Sequence, residues 1–144
     1  MKVLVIGSGG RENAIAYQLK KSPLISELHA IPGNPGIAKI GTCHNGSVED
    51  LEGILKFVNE YQIDFTVVGP EVPLCLGLAD LLEANGHKVF GPKKAGAILE
   101  GSKAYSKAFI KKAKKLEEYL KKLMKQQLLK QIEQHIKLWK HLFI

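Results

Sequence analysis

"VLVIGSGGREN", residues 3–13, carries four apolar residues into three glycines and then places an arginine and a glutamate where a helix begins. A phosphate binds where backbone amides converge at a helix N-terminus, and glycines let the backbone approach it without a side chain in the way. Gly7, Gly9 and Gly10 form the turn of that geometry, and Arg11 in the first helical turn offers an anion a paired hydrogen bond. The dinucleotide fingerprint needs glycine at its sixth position, where Glu12 stands. It also needs an acidic residue closing the second strand, where Ile31 and Pro32 stand. The loop therefore reads as an anion loop that is not built for NAD.

Working outward, apolar runs recur at "ELHAI" (27–31), "DFTVVG" (64–69) and "KVFG" (88–91), after "KVLVI" (2–6). Between them, "RENAIAYQLKKS", "SVEDLEGILKFVNEYQ" and "PLCLGLADLLEANG" carry apolar residues at helical spacing. Alternating strands and helices predict an α/β fold, a Rossmann-like parallel sheet with flanking helices, because parallel strands need crossover connections. Ser47, with Asp50 three positions on, is expected to cap the second helix, and Gly86 to stop the third.

In such a sheet "PGNPG" (32–36) and "GPEVPL" (69–74), each following a strand, fall on the same carboxyl edge as the first loop. Three stiffened loops at one edge predict a pocket whose polar groups are Arg11, Asn34 and Glu71: a cation, an amide and a carboxylate.

The rest of the composition narrows the class. At 144 residues and 45% hydrophobic, the chain is long enough for one compact domain with an appendage. No apolar run approaches a membrane span or a signal peptide, so the chain reads as cytoplasmic. Cys43 and Cys75 stand apart, with no CxxC motif and no clustered histidines, so neither a disulfide framework nor a metal site is expected. The formal charge of +7 is unevenly spread: residues 1–111 hold 12 Lys and Arg against 11 Asp and Glu, whereas residues 112–144 hold 9 lysines against 3 glutamates. All 14 glycines and all 6 prolines lie at or before Gly101. The expected organisation is a Rossmann-like unit over 1–101 and a helical tail over 102–144, as one long helix or two shorter ones. Its irregular apolar stripe is Leu116, Leu120, Leu123, Leu128, Ile132, Ile136, Trp139 and Phe143. The tail lysines read as a solvated face in preference to a nucleic-acid or membrane surface, and the stripe as a face that packs on the domain or makes a homodimer.

Four ordered motifs, "KVLVIGSGGRENAIA", "PGNPG", "DFTVVGPEVPL" and "VFGPKKAGAILEGSKAYSKAF", together resemble the N-terminal domain of the phosphoribosylamine-glycine ligase (glycinamide ribonucleotide synthetase) family. The resemblance runs from Met1 to about Lys111. It implies a pre-ATP-grasp domain of an enzyme of purine biosynthesis. The family's reaction uses ATP and a divalent metal, Mg or Mn, to convert glycine to an acyl phosphate, which the amine of 5-phosphoribosylamine attacks. Carried over by position, the substrate-side residues are Gly9, Gly10, Arg11, Glu12, Gly33, Asn34, Gly69, Pro70 and Glu71. Lys103 in "EGSKAYSK" is the implied nucleotide-binding lysine.

The family usually has histidine where this chain has Asn13, which keeps a hydrogen-bonding head but cannot titrate near neutrality. Beyond about Lys111 the resemblance ends, in the place of ATP-binding lobes and metal ligands. The abrupt change reads as a truncation or an out-of-frame segment. The chain alone is accordingly expected to bind no cofactor tightly, to supply no catalytic or metal-ligating residue and to be inactive as a ligase. A free-standing phosphosugar-binding module, or an interaction protein using the basic tail, is the alternative.

Overall fold

The computed structural model describes residues 1–143, with the side chains of Leu129 and of residues 135–143 outside the description. Two compact units are present, Met1–Ser102 and Lys103–Ile144.

The first unit is a five-stranded parallel sheet in the order β3-β2-β1-β4-β5, with β1 Lys2–Gly7, β2 Glu27–Pro32, β3 Thr42–Cys43, β4 Phe65–Val68 and β5 Val89–Phe90. Five helices accompany it: α1 Gly10–Lys20, α2 Leu51–Glu60, α3 Glu71–Leu76, α4 Leu78–Ala84 and α5 Lys94–Gly101. The alternation of β1 explains its central place. Leu4 and Ile6 point into one fully buried cluster with Ile54, Val58, Leu78 and Leu82 of the helices, while Val3 and Val5 point into another with Ala16 of α1. A strand buried on both faces must be apolar at every position, as this one is. Each of these side chains is worth about 1.5–3 kcal/mol of burial, so β1 is the mechanical axis of the unit.

Several boundaries differ from the sequence expectation, each for a local reason. Asp50 caps α2 instead of Ser47, its carboxylate accepting from the Gly53 amide at 3.0 Å, while the Ser47 hydroxyl accepts from Glu49 in the preceding turn. The single helix expected near residues 73–86 is two, because Gly77 at φ +105° takes a left-handed conformation that ends α3 and begins α4. Gly86 does close α4: its amide donates to Glu83 and that of His87 to Leu82, the paired bonds of a Schellman ending. The two-residue β3 and the 3-10 turn Ile37–Lys39 went unread because neither is long enough to show a period.

The second unit is one helix, α6, Lys103–Phe143. Within it Leu116, Leu120, Leu123, Leu128 and Ile132 of the expected stripe are exposed. Ile136, Trp139 and Phe143 of that stripe lie outside the described side chains.

On the α2 face of the sheet, His29 Nδ1 lies 3.0 Å from His44 Nε2, and His29 Nε2 lies 3.3 Å from the Glu27 carboxylate. The His44 ring meets Phe57 and Tyr61 edge-on. Burial and the neighbouring His29 hold the His44 imidazole below the ordinary histidine range. An imidazole with a depressed folded pKa binds its proton more readily when unfolded. Its stabilising contribution is complete above about pH 6.5 and is lost as pH falls through the folded value. The thermal midpoint of the chain is therefore expected to fall between about pH 7 and about pH 5, and to fall less in His44→Gln. Circular dichroism melts across that range test it, and equal slopes for the two chains would exclude the pair as the cause.

Candidate functional site

In the strand order 3-2-1-4-5 the chain leaves β1 toward β2 on one side and returns to β4 on the other, and the crevice at the carboxyl ends of these strands is where ligands of doubly wound sheets bind. All nine substrate-side candidates stand there, in the loops that follow β1, β2 and β4 and in the first turns of α1 and α3 that those loops open.

The loops are bonded to one another. The Gly33 amide donates to the Gly7 carbonyl at 3.1 Å, and the Gly69 amide to the Ile6 carbonyl at 3.1 Å. Asn34 joins two loops by both ends of its amide. Its Nδ2 donates to the carbonyls of Ser8 and Gly9 at 3.0 and 3.2 Å, while its Oδ1 accepts from the Gly36 and Ile37 amides, both at 2.9 Å. Cys43 on β3 backs this second loop, its Sγ 3.6 Å from the Asn34 carbonyl. The side chain of Asn13 lies against Gly36, where an added Cβ would come within 2.9 Å of the Asn13 Cγ. Asn13, where the resemblance leads one to expect histidine, thus faces the second loop.

Glu12 is buried, with 4% of its surface exposed. One carboxylate oxygen accepts from the Gly9 amide at 2.7 Å, and the other lies 3.2 Å from Arg11 Nε. The carboxylate occupies the space that a Cβ on Gly69 would need. It is the keystone beneath the loops, and the spacing from Gly9 to Glu12 is that of a helix capping box, which is the signal that marks it.

Arg11 lies above it, its guanidinium donating to the Gly69 carbonyl and standing 3.9 Å from the exposed Glu71 carboxylate. The Arg11–Glu71 pair is wide and solvent-facing, so it holds the guanidinium loosely and leaves it able to meet an anion. The first-turn amides of α1, those of Gly10, Arg11 and Glu12, have no acceptor within the helix. Pro70 precedes α3, its ring against Gly7. Chemically the edge offers a cation and helix amides to a phosphate, and carbonyl and carboxylate oxygens to hydroxyls. Lys103 is exposed as the first residue of α6, in the second unit.

Comparison with known proteins agrees with this architecture. Residues 1–100 match the family described as phosphoribosylglycinamide synthetase, N domain. The phosphoribosylamine-glycine ligase of Agrobacterium fabrum is 56% identical over 107 residues, covering 74% of this chain and 25% of that protein. That of Clostridium acetobutylicum is 46% identical over 112 residues, covering 78% of this chain and 27% of that protein. The crystal structure of the ligase from Thermotoga maritima superposes with a TM-score of 0.57 at 38% identity, over 78% of this chain and 25% of that one. An N5-carboxyaminoimidazole ribonucleotide synthetase from Thermus thermophilus shares the fold, with a TM-score of 0.54 at 17% identity over 76% of this chain and 29% of that one. The chain spans about a quarter of the length of the curated relatives it matches. A parallel sheet in this order, three interlocked loops at its carboxyl edge and a family match over residues 1–100 together make this chain a member of the phosphoribosylglycinamide synthetase N-domain family.

Proposed function

We propose that the first unit is the substrate-side domain of a ligase that joins glycine to 5-phosphoribosylamine, and that its carboxyl edge takes the phosphorylated ribose. The observation that carries this reading is the placement of Arg11 beside the first-turn amides of α1, steadied by the Gly69 carbonyl and flanked by Glu71. Phosphate and ribose hydroxyls differ in what they need, donors for one and acceptors for the other. This edge presents both side by side.

The ATP-dependent reaction is proposed for longer family members. Among the described residues no group of three or more His, Cys, Asp or Glu side chains is placed to hold a metal ion. The divalent ion implied by the family is likewise proposed only for those longer members. Lys103 stands at the position that the resemblance assigns to a nucleotide phosphate, and its role is proposed only in that longer context.

Calorimetric titration of the chain with ribose 5-phosphate tests the binding half of the proposal. Saturable heat is expected, with affinity reduced about tenfold or more in Arg11→Ala, the loss of a charge-assisted contact of about 1.5–3 kcal/mol. Equal affinity in the two chains would remove Arg11 from the site, and no heat in either would remove the site.

A further inference from the structure

The apolar face of α6 has a counterpart in charge. At 100° per residue, Phe109, Leu116, Leu120 and Leu123 fall within an arc of about 60°. All are exposed, from 41% for Leu123 to 59% for Leu116. Lys107, Lys111, Lys114, Lys121 and Lys125 fall on the opposite side. Over residues 103–125 the helix carries nine lysines and two glutamates, and one of those glutamates, Glu117, is paired with Lys121 at 2.7 Å. Lys112 and Lys115 line the same groove as Phe109, Leu116 and Tyr119.

A narrow apolar stripe bordered by aromatic rings and backed by lysines is the pattern of a helix lying in a membrane interface. Among the described residues no helix is long and apolar enough to cross a membrane, so such a helix would lie on the bilayer rather than span it. Charge decides between occupants. A second copy would bring together two helices that each carry nine lysines against two glutamates over residues 103–125, whereas an anionic phospholipid surface meets them with the opposite sign. Against lipid the alkyl stem of Lys112, at the edge of the stripe, follows the acyl boundary and its ammonium reaches the phosphates.

We infer that α6 docks along an anionic phospholipid surface, with Phe109, Leu116, Leu120 and Leu123 at the acyl boundary and the lysines toward the headgroups. This departs from the solvated lysine face and the homodimer that the tail's composition leads one to expect. The added observation is the exposure of Phe109, Leu116, Leu120 and Leu123 on a helix whose other faces carry an unbalanced excess of lysine.

The test is sedimentation of the full chain with vesicles of phosphatidylcholine alone and of phosphatidylcholine mixed with phosphatidylglycerol. Partition onto the mixed vesicles is expected to exceed that onto phosphatidylcholine by about tenfold or more, and to weaken with salt. Leu116→Glu combined with Leu120→Glu is expected to abolish it. Lys112→Gln combined with Lys115→Gln, at the lysines beside the apolar face, leaves that face and helix propensity intact and is expected to lower partition about fivefold per charge removed. No sedimentation with anionic vesicles overturns the inference, as does equal partition onto both vesicle types. A chain that is dimeric by light scattering and stays in the supernatant also overturns it, in favour of self-pairing.

Discussion

Gly7→Ala is expected to cost the first unit about 3 kcal/mol or more, a large share of the 5–15 kcal/mol that holds an ordinary domain together. Gly7 sits at φ +123°, a conformation open in practice only to glycine, and an alanine there stores strain of about 1–3 kcal/mol. The added Cβ would also lie 2.6 Å from Glu12 Cγ and 3.0 Å from Pro70 Cδ. Neither neighbour can yield cheaply, since Glu12 is held by Gly9 and Arg11 and the Pro70 ring is rigid. For a unit of this size the thermal midpoint should drop by roughly 12 °C or more. Gly10→Ala is the internal control: a Cβ there meets nothing within 4 Å, and the residue is the first of α1. It should leave the midpoint unchanged or raised slightly. Thermal melts of the two variants decide the matter, and similar losses in both would mean that the close packing under the first loop is not what holds it.

Glu12→Ala is expected to have the next largest effect, about 2–3 kcal/mol, because it strips the Gly9 amide of its acceptor and the Arg11 guanidinium of its buried partner while leaving an unfilled space. Glu12→Gln keeps an acceptor for Gly9 and should recover part of that loss. It does not restore the charge beside Arg11, so its affinity for ribose 5-phosphate should stay closer to that of Glu12→Ala than its stability does. Urea titration and calorimetry on the same preparations separate the two. If both variants unfolded at the urea concentration of the parent, the keystone role of Glu12 would be wrong.

The sheet was legible because β1 is apolar from Val3 to Ile6 and buried on both faces, and because α2 carries a clear apolar period, so local pattern and tertiary burial agree there. The convergence of the three loops followed from topology alone: whatever succeeds β1, β2 and β4 in a parallel sheet must share an edge. Less visible was the division of labour inside the loops. Arg11 and Glu12 are adjacent in sequence and both charged, yet one is exposed and the other buried, and only the capping spacing from Gly9 distinguishes them. Asn34 read as a polar group of the pocket, whereas both ends of its amide are committed to loop backbone. The His29–His44 pair could not be read at all, since it depends on β3, whose two residues carry no pattern.

The bonding among the loops also governs how the site can be moved or altered. Glu12 touches segments as far apart as Gly9 and Gly69, and Asn34 ties the first loop to the second. A graft of "GSGGRE" alone onto another parallel sheet would bring an arginine with no carbonyl to steady it and a glutamate with no glycine opposite to admit it. The transferable unit is the set of three loops with their spacing across β2, β1 and β4. Drift in one loop must then be answered in the other two, so substitutions at residues 7–12, 33–36 and 69–71 are expected to be coupled rather than additive.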